Sequence, residues 1–194
     1  MATVQIGNIQ VIDVRDQFPD VNTPDSHYDV RDLASIDAKV LHHSVTNPAL
    51  DPLQSLQSIY DSHRRQGWPG IGYHLIISRD GRIFLAGGAE TIRAHVFGRN
   101  ETSIGVCLIG DFTSATPDLR QLVAAGRLFR ELDFALGGAI PAYTHRAYAL
   151  PGHGTACPGD THPLWLPLIV AAKAEPWWAT LDNKVTGDSP VWLD

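Results

Sequence analysis

The sequence predicts an α/β protein: a central mixed β-sheet of about five to six strands flanked by helices. Three observations carry this expectation. Short strand-like runs alternate with segments whose apolar residues recur at helical spacing. One run, Ser103 to Gly110, is apolar on both faces, as a central strand must be. The chain has 194 residues, 44% apolar and 19% charged, which suits one well-filled core and is short for two.

Taken in order, residues 4 to 14 alternate apolar and polar around Gly7-Asn8, the pattern of a small hairpin. Residues 15 to 37 are rich in Asp and Pro and read as an ordered arm. Its aspartates (Asp16, Asp20, Asp25, Asp29, Asp32) lack the spacing of an EF-hand loop and read as a solvated surface. Lys39 to His43 is a short strand. Asp51-Pro52 caps and opens a helix with apolar face Leu53, Leu56, Ile59 and Tyr60, closed by Gly67. Tyr73 to Ser78 and Ile83 to Ala86 are strands on either side of the hairpin signal Asp80-Gly81. Thr116-Pro117 starts the longest helix, marked by Leu119, Leu122, Val123, Gly126, Phe129, Leu132 and Leu136 and ended by Gly137-Gly138. Ile140 to Thr144 is a strand that delivers His145 at its end, and a last helix covers Leu164 to Lys173. Residues 175 to 194 hold three of the five tryptophans and read as a C-terminal extension docked on the body.

Charge and termini exclude several classes. A net charge of −6 argues against a nucleic-acid binder, which carries a basic face. No window approaches 18 consecutive apolar residues, so no membrane insertion is expected. The first residues lack a basic segment and a long apolar stretch, so no signal peptide is expected. No Gly-x-Ser-x-Gly elbow marks a serine hydrolase, and Cys107 lies in an apolar strand where a thiol is inert.

The chemistry concentrates in Cys157-Pro158-Gly159-Asp160, twelve residues after His145, and in His42-His43 at the end of an apolar run. Two histidines and a cysteine thiolate can hold zinc and leave its fourth position open to water, the mark of a catalytic site. Which histidines take part is open at this level. His42 and His43 face opposite sides of a strand, and His145 and His153 are both within reach of Cys157. His27 and His63 read as surface residues, and His162 as a residue near a helix start.

Several segments, in order, resemble the zinc-dependent N-acetylmuramoyl-L-alanine amidases, the group shared by phage lysozyme-amidases and animal peptidoglycan-recognition proteins. They are Val40-Leu41-His42-His43-Ser44; Gly67-Trp68 through Gly72-Tyr73-His74-Leu75-Ile76-Ile77; Arg79-Asp80-Gly81; Ala94-His95 followed by Gly98, Asn100 and Ser103-Ile104-Gly105-Val106; Thr144-His145-Arg146; and Cys157-Pro158-Gly159. The match runs from about residue 36 to 170.

The resemblance implies a Zn²⁺ site in a surface groove at the sheet, with His42, His145 and Cys157 as ligands. It implies Tyr73 and Thr155 as catalytic groups, and His95, Trp68 and Asn100 on the substrate side; Arg93 is a further groove candidate. It also implies residues 36 to 174 as the catalytic domain, with 1 to 35 as an arm packed on it and 175 to 194 as an extension. The function it implies is hydrolysis of the amide between N-acetylmuramic acid and L-alanine in bacterial peptidoglycan. The implied protein is a monomeric phage-type endolysin, made in the cytoplasm and acting on the wall after release. The alternatives are a cytosolic muropeptide-recycling amidase and a non-catalytic peptidoglycan-binding module. Two features depart from the family: the long His145-to-Cys157 interval implies an insertion around Leu150-Pro151-Gly152-His153, and Cys107 stands where some branches carry a glutamate base.

Overall fold

A computed structural model describes residues 1–174. Its elements run β1 (Thr3–Ile6), β2 (Ile9–Asp13), β3 (Ala38–His43), α1 (Pro52–Arg65), β4 (Leu75–Ile77), β5 (Ile83–Leu85), β6 (Ser103–Leu108), α2 (Leu119–Ala135), β7 (Ala142–Thr144), the single turn α3 (His145–Tyr148) and α4 (His162–Ala174). The expected C-terminal extension, 175 to 194, lies outside the described residues.

The strands form one seven-stranded mixed sheet in the order β1-β2-β5-β4-β6-β3-β7. That is more than the five to six expected, because the N-terminal hairpin joins the sheet. β2 pairs parallel to β5 through Ile12↔Phe84 and Asp13↔Leu85, and Val14 N–H extends the ladder by donating to Leu85 O at 3.1 Å. β6 lies inside the sheet between β4 and β3, parallel to both, and all six of its residues are buried.

The sheet is covered on both faces. On one side, Leu41, Leu75, Ile77, Ile104, Val106 and Leu108 meet Leu122, Ala125, Leu128, Phe129 and Leu132 of α2 and Trp165 and Ile169 of α4. On the other, Ile76, Phe84, Cys107 and Ile109 meet Leu56 and Ile59 of α1 and Val14 and Phe18 of the arm. Helices α2 and α4 approach closely at Gly126, where a Cβ would stand 2.6 Å from Ala172 Cβ and 2.7 Å from Ile169 O.

Helix starts follow capping chemistry. Asp51 accepts Leu53 N–H at 2.9 Å with Pro52 at the first helical position. Asp118 accepts Arg120 N–H at 3.0 Å, so α2 begins at Leu119 rather than at Thr116-Pro117.

Beneath the first helical layer sits an ionic staple. The ammonium of Lys39, fully buried, is paired with Asp133 and donates to Phe129 O at 3.0 Å. Lys173 of α4 is paired with the other Asp133 oxygen at 2.5 Å, and Ile140 N–H donates to Asp133 Oδ1 at 2.9 Å. Strand β3, the carrier of His42, is thereby tied to both helices behind it.

Candidate metal centre

The first histidine is placed by strand register. His42 stands opposite Cys107 of β6, which packs on the α1 side, while Leu41 packs on the α2 side. His43, pointing the other way, accepts Phe112 N–H on its Nδ1 at 3.2 Å and takes no part in the centre by side chain. His145 is the first residue of α3. Its neighbour Thr144 ends β7 beside Leu41 and caps the turn, its hydroxyl accepting Ala147 N–H at 3.2 Å. The strand-to-turn switch swings the His145 imidazole towards His42, with ring centroids 4.6 Å apart. Cys157 comes from the loop before α4. Its Sγ lies 3.7 Å from His42 Nδ1 and accepts His43 N–H at 3.3 Å. Arg146 steadies that loop: its N–H donates to Cys157 O at 2.9 Å, and its guanidinium donates to Ala156 O at 2.8 Å and Asp160 at 2.6 Å.

His42, His145 and Cys157 each offer one ligand atom, and these atoms all lie within 4.8 Å of one another, a group that could hold a metal ion. Its electrostatics suit a cation. Burial, with His95 and His145 adding to it, holds the His42 pKa well below the ordinary imidazole value; burial and then His43 lower that of His145. Both rings are therefore neutral at pH 7 and offer lone pairs. Burial pushes the Cys157 thiol up to about 12, against the opposing pull of His43 N–H and Arg146. A thiol that resists ionisation so strongly is a poor free nucleophile, and it becomes a thiolate when a cation displaces its proton. The exposed His153, left open by spacing, is not in this group. Its ring stacks on Phe97 at 4.3 Å.

Tyr73 leans over the same histidine, 5.1 Å from the His42 ring. Burial, then Cys107 and Cys157, hold its hydroxyl well above the usual tyrosine pKa, so it remains a proton donor throughout the neutral range. Thr155 is partly exposed two residues before the cysteine, and its Oγ1 accepts Cys157 N–H at 3.1 Å, which leaves the hydroxyl proton free to donate.

Of the remaining sequence candidates, His95, Asn100 and Arg93 turn inward. His95, expected on the groove, is buried beneath His42, its Nδ1 3.1 Å from His42 Nε2. Asn100 turns inward as well, its Oδ1 accepting His95 N–H at 2.9 Å and Val96 N–H at 2.8 Å. Arg93, only 3% exposed, pairs with Asp20 at 2.8 Å instead of lining a groove, so that aspartate of the arm is not a solvated one. Trp68, partly exposed, packs tilted against His63, with ring centroids 4.6 Å apart. His63 is buried, contrary to the surface position expected. Its Nδ1 accepts Gly72 N–H at 3.0 Å and its ring separates Trp68 from Tyr73, 5.3 Å from the latter. Sequence reasoning missed His63 as a support for Tyr73; its place on the buried stripe of α1, four after Ile59, was the available signal. His74 is fully buried and its Nδ1 accepts Gly105 N–H at 2.9 Å.

Among the described residues no helix is long and apolar enough to cross a membrane. The profile of the family described as N-acetylmuramoyl-L-alanine amidase matches residues 32–160. The chain is 35% identical to Peptidoglycan-recognition protein LB of Drosophila melanogaster over 130 residues, 62% of this chain and 53% of that protein. It is 34% identical to an endolysin of Klebsiella phage KP32 over 105 residues, 52% of this chain and 68% of that protein. It thus spans about half the length of the first relative and about two thirds of the second. In fold it is similar to N-acetylmuramoyl-L-alanine amidase LysC from Clostridium intestinale URNW, with a TM-score of 0.68 at 21% identity, covering 87% of this chain and 100% of that one. With two thirds of its length inside the matched profile, the chain belongs to the N-acetylmuramoyl-L-alanine amidase family.

Proposed function

We propose that this chain is a zinc-dependent peptidoglycan hydrolase of the phage endolysin type, cleaving the amide between N-acetylmuramic acid and L-alanine. The observation that carries the reading is the convergence of His42, His145 and Cys157 on one point, with Tyr73 beside it. Two neutral imidazoles and a thiolate are the donor set of an open, catalytic zinc site. Bound there, zinc supplies a Lewis acid that activates water and polarises a carbonyl at neutral pH.

The chain's own groups supply the rest. An amide resists hydrolysis because its carbonyl is weakly electrophilic and its amine leaves poorly, so charge developing on the carbonyl oxygen needs donors. Tyr73 offers a hydroxyl that stays protonated, and Thr155 a second one already aimed by its bond to Cys157 N–H. A donor of this kind is worth about 3 kcal/mol of barrier. Cys107, in the place of a family glutamate, is fully buried with its pKa well above the ordinary thiol value, chiefly through burial, so it is no base. Trp68 presents an aromatic face on the substrate side. In this reading residues 36 to 174 are the catalytic unit and 1 to 35 an arm completing its sheet; the protein is a monomer that acts on the wall after release from the cytoplasm. The alternatives are a recycling amidase and a non-catalytic binding module. The complete ligand set together with Tyr73 favours an enzyme over a binding module.

The test is digestion of purified peptidoglycan with and without chelator. Chelator-sensitive release of L-alanine amino termini is the expected result. Reducing sugar ends alone, or cleavage that ignores the chelator, would reject the reading.

A further inference from the structure

Behind the metal ligands runs a chain of hydrogen bonds whose direction can be deduced from its far end. The Ser103 hydroxyl donates to Arg99 O at 2.7 Å, so its single proton is committed. Ser103 Oγ and Ser103 O each lie 3.4 Å from His95 Nε2, and both are then acceptors. A neutral imidazole carries one N–H. On His95 that proton therefore sits on Nε2, leaving Nδ1 as a lone pair. His42 Nε2, 3.1 Å from that lone pair, must be the donor. His42 in turn has its own lone pair on Nδ1, the atom that faces Cys157 Sγ at 3.7 Å.

The surroundings hold His95 for this task. Asn100 fixes its backbone through His95 N–H and Val96 N–H. Gly105 leaves room for the ring: a Cβ there would stand 2.7 Å from His95 Cγ. The His74 ring packs edge-on at 5.6 Å, and His74 Nδ1 is itself held by Gly105 N–H. His95 is only 7% exposed, and its Nδ1 has His42 as its hydrogen-bond partner.

We propose that His95 is a positioning residue, one that locks His42 in the tautomer presenting Nδ1 to the metal and so pre-forms the zinc site through the relay Ser103–His95–His42. The opposite polarity, with a proton on His95 Nδ1, would place the His42 proton on the atom the metal needs. Partners of this kind beyond the ligand shell commonly set metal affinity by 10–100-fold. The proposal rests on the zinc reading above.

The experiment measures zinc affinity by competition with a chromophoric chelator in the parent chain, His95→Phe and His95→Gln, alongside the absorption spectrum of the cobalt(II)-loaded forms. His95→Phe removes the acceptor, and zinc binding should weaken about 10–100-fold with an altered cobalt spectrum. His95→Gln restores an acceptor oxygen and should recover most of the loss. Equal affinity and an unchanged spectrum in His95→Phe would overturn the proposal while leaving the zinc site standing. A parent chain that binds no zinc would overturn both. Should His95→Phe not fold, long-range ¹H–¹⁵N correlation on the zinc-loaded parent decides the matter: the proton on His95 Nε2 supports the relay, and a proton on Nδ1 refutes it.

Discussion

Cys157 Sγ and His42 Nδ1 stand 3.7 Å apart although 115 residues separate them in the chain. Neither is placed by the other. His42 is fixed by the β3–β6 register, and Cys157 by a loop that Arg146 and His43 N–H hold. A site assembled from a strand register and a braced loop is formed before any ion arrives, so binding should stabilise the folded chain directly. At free zinc about 100-fold above the dissociation constant the gain is about 2.7 kcal/mol, or roughly 5–10 °C in melting temperature for a chain of this size. Calorimetry with and without zinc checks it, and Cys157→Ser should abolish the shift.

Loss of a ligand should also abolish turnover. Lewis-acid stabilisation of several kcal/mol corresponds to about a thousandfold in rate. His145→Ala and Cys157→Ser should each lose at least that much in peptidoglycan hydrolysis, measured as amino-terminus release, while far-ultraviolet circular dichroism remains that of the parent.

Tyr73→Phe separates donor from packing. The ring stays between His42 and His63, at 5.1 and 5.3 Å, and only the hydroxyl is lost. Turnover should fall about 10²–10³-fold with zinc still bound. Full turnover with bound zinc would reduce Tyr73 to a sheet aromatic.

How much of this was readable beforehand differs from residue to residue. The three ligands and Tyr73 sit in motifs whose order matches a known family. The side of β3 that carries the site was not readable, because all six residues of that strand are buried and alternation disappears. The hairpin was visible from Gly7-Asn8, yet its place in the sheet depends on two residue pairs with β5, a contact across some seventy residues that no local pattern encodes. His95 and Asn100 were misplaced for a common reason: a polar side chain in a site motif looks like a substrate contact, whereas here each spends its hydrogen bonds inside the protein. His63, read as a surface residue, is buried with its Nδ1 accepting Gly72 N–H. The one-turn α3 is too short to show any period.

Metal binding should depend on pH through the cysteine alone. Both histidine ligands have pKa values below the ordinary 6.5 and are already neutral above pH 7, whereas the Cys157 thiol, raised to about 12, must give up its proton. The ligands should therefore contribute about tenfold in apparent zinc affinity per pH unit between pH 7 and 9, one ligand proton being released per ion. Titrations in buffers of different ionisation enthalpy count the protons released; a count that rises as pH falls below 7 would mean that the histidines are charged in the free protein.

The metal-free fold should be sensitive to acid for a related reason. Burial lowers the His63 pKa to about 4 and that of His95 to about 3. In the unfolded chain both return to about 6.5. Below 6.5 the unfolded state binds more protons than the folded one, so stability falls with falling pH. The contribution of these groups is fully present above 6.5, erodes as pH drops from there, and is gone once the folded-state values near 4 and 3 are passed. Urea midpoints of the zinc-free chain should be flat from pH 8 to 6.5 and decline from 6.5 to 4. His63→Gln, which keeps an acceptor for Gly72 N–H, should make that decline shallower; an unchanged slope would mean that His63 ionises freely in the folded protein.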